Sequence, residues 1–465
     1  MHIVFFNPQG NFDSEDSYWT QHPDFGGQLV YVKEVAVAMA KQGHMVDIIT
    51  RRIVDDKWPQ FKKTMDCYKD INNLRIIRIP CGGDKFLPKE QLWEHLYEWV
   101  ENIINFYIDE ARMPEFVTTH YGDGGMAGVI FSKKTRIPFS FTGHSLGAQK
   151  MDKLNVNDDN AFEMEKKYRF TKRIEAERIA MTNSSVIFVS TAQERDEQYK
   201  HELYRGAGNV NNPEKFTIAP PGANTKVFSS TEENGEDEYI RKYIKEMFER
   251  DLDSARVNLP AIIAASRLDP KKNHIALVKA YAENMELQEK ANLVITVRGI
   301  KNAFEGYSHV KEEEKKILDE IMQVINSHNL RGKVSIFNIN GQDQLAACYR
   351  ELARRKSIFS LTAVYEPFGL APIEAMSCGL PVAVTKYGGP SEVLYEDGVK
   401  YGILIDVFDL EDISKGILEV FYNYEFYKDK GIYRVQSKYT WDSTARKYVQ
   451  AIKEVIENDK LVMVR

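Results

Sequence analysis

Short apolar runs alternate with helix-period stretches along most of the chain. His2–Phe6 is a compact apolar run. Leu29, Val32, Val35, Ala36 and Met39 then recur at helical spacing, Gly43 stands where a helix would stop, and Met45–Thr50 is the next apolar run. A strand–helix–strand unit of this kind builds parallel sheet. The same alternation predicts strands over Arg75–Ile79, Phe116–Thr119, Phe139–Thr142, Val186–Ser190 and Phe216–Ala219, with helices over Leu92–Ala111 and Phe162–Met181. Residues 228–256 interrupt it: they are polar and rich in Glu, Ser and Lys, with helical character from Glu238 to Arg250. The pattern restarts at Pro260. It predicts strands over Leu293–Val297, Val334–Phe337, Ile358–Leu361, Val382–Thr385 and Gly402–Ile405, with helices over His274–Met285, Val310–Ser327 and Trp441 through Ile456.

The expected fold class is therefore α/β, with two Rossmann-like, doubly wound parallel-sheet domains. The expected boundaries are 1–222, joined by the C-terminal helix at about 431–465, and 223–430. A length of 465 residues is long for one core and natural for two. Ligands of such sheets bind outside the carboxyl ends of the strands, so a deep cleft between the two domains is expected.

Charge and composition narrow the partners. Sixty-two basic against 68 acidic residues give a net charge of -6 without a long single-sign run, so nucleic acid is not an expected partner. No stretch of 18 apolar residues occurs, so no membrane span is expected. The chain begins without a basic start and a signal-length apolar run, and Cys67, Cys81, Cys348 and Cys378 form no CxxC pair or metal spacing. The expectation is a cytoplasmic protein with reduced thiols, acting on small molecules.

Two elements in the second half carry chemistry. Ser266-Arg267-Leu268-Asp269-Pro270-Lys271-Lys272-Asn273 follows the strand at Ala261–Ala265 and precedes a helix, so Arg267 and Lys272 can both face a diphosphate. In Glu366-Pro-Phe-Gly-Leu-Ala-Pro-Ile-Glu374 two glutamates flank an expected helix start, where the amides at Gly369 and Leu370 are free to bind phosphate. Glu374 is placed to accept hydrogen bonds from ribose hydroxyls and Glu366 to reach a sugar hydroxyl. Either element alone also reads as a solvated loop or an acidic helix start. Together they point to a nucleotide sugar.

The first half offers less sharp signals. Gly26 and Gly27, in Asp24-Phe25-Gly26-Gly27-Gln28, allow close backbone approach before the first helix. His144 in Thr142-Gly143-His144-Ser145-Leu146-Gly147, and His120 in His120-Tyr121-Gly122-Asp123-Gly124-Gly125, each follow a strand. Lys150, Lys153, Arg169, Lys172 and Arg173 form a basic cluster, which is either a solvated face or a set of donors for an anionic acceptor.

The glutamate pair resembles the EX7E motif of retaining GT-B glycosyltransferases, and SRLDPKKN their phosphate-binding loop. NPQGNF at 7–12, DFGGQLVYVKE at 24–34, THYGDGG at 119–125, TGHSLGAQK at 142–150 and KRIEAER at 172–178 are similar to the sucrose-phosphate synthase family. The resemblance spans nearly the whole chain. It implies the GT-B fold and retaining transfer of glucose from UDP-glucose to fructose 6-phosphate, giving sucrose 6-phosphate and UDP by front-face displacement.

The resemblance also implies residue roles. Arg267 and Lys272 neutralise the leaving diphosphate, Glu366 contacts the donor sugar, Glu374 holds the ribose, and Gly369 and Leu370 supply amides. Gly27 lies on the donor side, with Gly26 and Gln28 beside the acceptor. His144 touches the transferred sugar and completes a catalytic set with Glu366, Arg267 and Lys272. Ser145, Lys150, Lys172 and Arg173 are candidates for the acceptor's phosphate. No tightly bound cofactor is implied, and a divalent metal is not required. Lys172-Arg173 departs from the two arginines of many relatives, and Lys lacks the bidentate fork. The long N- and C-terminal extensions of the plant enzymes are not seen in this sequence. The residues leave UDP and ADP donors both open. They also leave open sucrose synthase, another retaining GT-B enzyme with a different acceptor, and an inactive sugar-nucleotide-binding protein.

Overall fold

The computed structural model describes residues 1–19, 27–208, 212–307 and 310–463, with 460–463 as backbone alone. Gly26 lies outside the described residues. The chain forms two compact units, Met1–Pro220 with Trp441–Arg465, and Pro221–Thr440.

The first unit is built on eight strands: β1 (His2–Phe6), β2 (Met45–Arg51), β3 (Met65–Cys67), β4 (Leu74–Ile79), β5 (Phe116–His120), β6 (Phe139–Thr142), β7 (Val186–Val189) and β8 (Phe216–Ile218). They lie in the order β3-β4-β2-β1-β5-β6-β7-β8. All neighbours are parallel except β3, which pairs antiparallel with β4 at the edge. Every residue of β1 is buried, which a strand covered by helices on both faces requires. The helix Trp441–Met463 returns to this unit because Tyr448 and Ile452 join the apolar cluster of Val32, Val35 and Phe188.

The helix expected over Phe162–Met181 is broken. It runs Ala161–Tyr168 and then Phe170–Asn183, with Arg169 between them in the left-handed region at φ 52°. Glu165 fastens the break by accepting from the amide of Thr171 at 3.0 Å.

The second unit holds β9 (Ala261–Ala264), β10 (Asn292–Val297), β11 (Val334–Asn338), β12 (Ile358–Leu361), β13 (Val382–Thr385), the short antiparallel pair β14 (Tyr395–Glu396) and β15 (Val399–Lys400), and β16 (Ile403–Ile405). Its six-stranded sheet is parallel, in the order β11-β10-β9-β12-β13-β16. The polar stretch after residue 228 contains a helix, Asp237–Asp251, tied to the core by the buried Arg350–Asp237 pair at 2.6 Å.

Residues 431–440 cluster with this second unit, whereas the sequence grouped them with the first. The helix Tyr424–Lys438 packs its Gly431 against Met376, and its buried Arg434 donates to the carbonyls of Val393 and Glu392. The crossing back falls after Thr440, which bridges to Ala223. Among the described residues, no helix is long and apolar enough to cross a membrane.

Candidate active site

The first cluster sits at the carboxyl ends of β9 and β12. After β9 the chain makes a single 3-10 turn over Pro270–Lys272, started by Asp269, whose carboxylate accepts from the Lys271 amide at 2.9 Å. Asn273 then takes φ 50°, a left-handed conformation that Asn tolerates, and the helix His274–Glu283 begins. The segment after β12 grips this loop: Val364 donates to the Lys271 carbonyl at 2.9 Å, and Thr362 to that of Asn273 at 2.9 Å. Lys272 and Glu366, 94 positions apart, are thereby brought together, with Nζ 2.6 Å from Oε2. His274 is buried behind them; burial and the nearby Lys272 charge push it down to about 4. Arg267 stays exposed, and no hydrogen bond or ion pair to another described residue holds its guanidinium.

Glu366 is fixed by its backbone. It donates to the Tyr387 carbonyl at 3.0 Å, accepts from Gly389 at 2.9 Å, and forms a parallel bridge to Gly388. The approach is so close that a Cβ on Gly388 would lie 2.1 Å from the Glu366 carbonyl oxygen. Gly388 and Gly389 were not singled out from sequence, although adjacent glycines before Pro390 mark such a contact.

Gly369, at φ 104°, turns the chain into the helix Leu370–Ser377 without a side-chain cap. The first-turn amides of this helix therefore lack intrahelical acceptors. One turn on, the Glu374 carboxylate has no hydrogen-bond partner among the described residues, and burial pushes it up to about 8. A desolvated, unpaired carboxylate is suited to a ligand that brings two hydroxyl donors.

The second cluster belongs to the first unit, at the carboxyl ends of β1, β5 and β6. His144 follows β6 at φ 55°, and its Nε2 is 2.8 Å from Nδ1 of His120. His120 in turn lies 3.2 Å from the Thr118 hydroxyl. Burial pushes His144 down to about 3, and burial together with His144 pushes His120 well below its usual range. Both rings are neutral, so one donates to the other, and Nδ1 of His144 is the atom left for a ligand. Tyr31 meets His144 edge-on at 5.0 Å, and its hydroxyl lies 3.1 Å from that of Tyr448, which also reaches Thr142. The returning C-terminal helix thus braces the loop that carries His144.

Gly27 is the exposed first residue of the helix Gly27–Lys41, with open space around it. Gln28 donates to Asn7, and Asn7 to the carbonyl of Gln9. Gln9 lines a small pocket of about 30 Å³ together with Lys89, Glu90, Trp93, Tyr121, Asp123, Lys150, Arg169 and Arg173. Burial, then the charges of Arg173 and Lys89, push Lys150 down to about 8, so the cations crowd one another. Lys150 stands 3.9 Å over the ring of Tyr168, and Arg173 lies 5.0 Å over that of Tyr121. Arg173 donates to the Ser145 carbonyl and, at 3.0 Å, to the buried carboxylate of Glu177. Glu177 also accepts from Gly147 at 2.9 Å and from Tyr204.

Lys172 is exposed and does not line this pocket. Its place is taken by Arg169, which the break between the two helices turns toward the pocket. Lys89, Trp93, Tyr121 and Asp123 were not among the sequence candidates; Lys89 has no motif around it and reaches the pocket only through folding. Among the described residues, no group of His, Cys, Asp and Glu is arranged to hold a metal ion.

Residues 1–248 match the family model "Sucrose synthase first GT-B domain", and residues 249–434 match "Glycosyl transferases group 1". A probable sucrose-phosphate synthase of Thermosipho melanesiensis is 44% identical over 98% of this chain and 97% of its own. The chain belongs to the sucrose-phosphate synthase family of GT-B glycosyltransferases. Within this family, plant relatives are longer: the chain spans 47% of sucrose-phosphate synthase 4 of Arabidopsis thaliana, at 28% identity. The mannosylfructose-phosphate synthase of Agrobacterium fabrum is also 28% identical, over 94% of this chain and 90% of its own. A solved sucrose-phosphate synthase of Thermosynechococcus elongatus superposes with a TM-score of 0.66 over 98% of this chain and all of its own, at 21% identity, a likeness that speaks for the fold. The chain is a glycosyltransferase.

Proposed function

We propose that the chain transfers glucose, with retention, from UDP-glucose to fructose 6-phosphate, forming sucrose 6-phosphate and UDP. The observation that carries the acceptor half of this reading is the pocket where Lys89, Lys150, Arg169 and Arg173 converge. A concave site lined by four cationic side chains favours a doubly charged tetrahedral group over a neutral hydroxyl. Arg173 offers the planar fork for phosphate oxygens, held at its root by Glu177. Gly26, Gln28 and Ser145 are assigned to the body of the acceptor sugar.

On the donor side, Arg267 and Lys272 stabilise the charge that develops on the leaving diphosphate, helped by the amides at Gly369 and Leu370. Lys272 already leans on Glu366, so donor binding exchanges part of that pair for phosphate, and Glu366 turns to the sugar hydroxyls. Glu374 takes the ribose, Gly27 approaches the donor, and Nδ1 of His144 meets the transferred sugar. No carboxylate is assigned as a covalent nucleophile, and the leaving phosphate takes the proton of the attacking acceptor hydroxyl on the same face.

A transfer of mannose is the competing reading, favoured by the relative named mannosylfructose-phosphate synthase. Incubating the chain with UDP-glucose, ADP-glucose or GDP-mannose against fructose 6-phosphate, fructose and glucose 6-phosphate, and identifying products by chromatography and NMR, separates the readings. An α-glucosyl disaccharide phosphate from UDP-glucose and fructose 6-phosphate is expected. A preference for the mannose donor, or no product from any pair, overturns the proposal.

A further inference from the structure

Thr118 and His120 are two positions apart on β5, so their side chains leave the strand on the same face. β6 lies beside β5 with Thr142 opposite His120, and the chain leaving β6 sets the His144 ring against that of His120. A file of three side chains results. The Thr118 hydroxyl lies 3.2 Å from Nε2 of His120, and Nδ1 of His120 lies 2.8 Å from Nε2 of His144. Phe5 stacks on the His120 ring at 5.5 Å, and the Tyr31 ring lies 6.2 Å from it. Among the described residues, neither the Thr118 hydroxyl nor a ring nitrogen of His120 has another hydrogen-bond partner.

Each neutral ring has one N–H and one acceptor nitrogen, so the file runs in one of two directions. In the first, Nε2–H of His144 donates to His120, and Nε2–H of His120 donates to Thr118. The proton of the Thr118 hydroxyl then has no acceptor, although Thr118 is fully buried. An unmade bond of that kind disfavours the arrangement on the order of tenfold or more. In the second, the Thr118 hydroxyl donates to Nε2 of His120, and His120 donates Nδ1–H to Nε2 of His144. Every buried donor is then satisfied. The last N–H of the file emerges at Nδ1 of His144, the residue of the three that is only partly buried.

We propose that Thr118 and His120 are positioning residues that hold His144 as its Nδ1–H tautomer, so that His144 meets the transferred sugar as a hydrogen-bond donor. The use of that donor rests on the reading that His144 contacts the sugar; the location of the proton does not. An N–H at this place recognises an oxygen lone pair of the sugar and leaves the hydroxyl's own proton for another acceptor.

NMR of the full chain with isotope-labelled histidine nitrogens is the direct test, because the protonated and bare nitrogens of a neutral imidazole resonate far apart. The His144 signals are those lost in His144→Ala, and the His120 signals those lost in His120→Leu. At neutral pH both rings should be uncharged with the proton on Nδ1. Thr118→Val keeps the shape and removes the hydroxyl, so each direction of the file then leaves one buried nitrogen of His120 unsatisfied. The two His144 nitrogens should therefore move toward a common, averaged position, and Thr118→Ser should restore the wild-type pattern. In turnover of UDP-glucose with fructose 6-phosphate, His120→Leu should lower kcat on the order of tenfold while KM for fructose 6-phosphate stays within twofold.

A wild-type His144 with its proton on Nε2, a charged ring at either position, or a Thr118→Val spectrum identical to the wild type overturns the inference. Full activity of His144→Ala, with His144 signals that do not move on adding UDP-glucose, overturns the sugar contact instead and leaves the location of the proton standing. If His120→Leu does not fold, the His144 signals of the wild type and of Thr118→Val decide alone.

Discussion

Replacing Gly388 by Ala should unseat Glu366. Gly388 has φ 105°, and its Cβ would fall 2.1 Å from the Glu366 carbonyl oxygen and 2.9 Å from the carbonyl carbon. The backbone conformation costs an L-residue about 1–3 kcal/mol. Forcing apart two hydrogen-bonded backbones adds about 1–3 kcal/mol. The sum, about 2–6 kcal/mol, lowers the melting temperature of a domain of this size by roughly 5–20 °C. Gly398 is the control, since it has φ 81° but nothing within 4 Å, and Ala there pays only the conformational part. Relieving the contact moves Glu366 by about 1 Å, a displacement that costs on the order of a hundredfold in rate when it falls on a positioned group. Thermal melting of both variants, with kcat/KM for the donor measured well below each midpoint, checks this. Equal melting temperatures for Gly388→Ala and Gly398→Ala, with donor kcat/KM within threefold of wild type, would refute the reasoning.

Glu374 should couple nucleotide binding to pH. Ribose hydroxyls donate to the carboxylate, so UDP affinity measured by calorimetry should rise about tenfold per pH unit between 6 and 8, and Glu374→Gln should bind weakly with a flat profile. Because folding raises this carboxyl from 4.5 to about 8, its stabilising contribution is present below pH 4.5 and is lost as pH rises through 8; Glu374→Gln should remove that loss from pH-dependent melting curves. Glu177→Ala strips the acceptor from Arg173, Gly147 and Tyr204, and should cost the first unit about 3–5 kcal/mol in denaturant unfolding. Arg169→Ala should raise KM for the phosphorylated acceptor at least tenfold, at about 1.5–3 kcal/mol for a charged hydrogen bond, whereas Lys172→Ala should leave it within twofold in the same steady-state assay.

Strand positions and domain number were legible because a buried parallel strand must be continuously apolar and bounded by turns, as at His2–Phe6 and Val382–Thr385. The edge strand β3 and the two-residue strands β14 and β15 are too short to show a period. Lys272 and Glu366 could each be placed from the sequence at a strand's carboxyl end, where a βα loop puts a ligand, but their ion pair could not. The pocket was not readable in full. Lys172 and Arg173 adjoin in sequence but point about 100° apart on a helix, and which of them faces inward depends on a phase reset at Arg169 that no glycine announces. Gly388 reveals its purpose only against Glu366.

The most direct test measures UDP release from UDP-glucose with fructose 6-phosphate and with fructose, in wild type and in Lys150→Ala combined with Arg169→Ala. The account predicts a strong preference for the phosphorylated acceptor, on the order of a hundredfold or more from two charged contacts, collapsing in the double variant while KM for UDP-glucose holds. Equal rates with both acceptors in the wild type would contradict it.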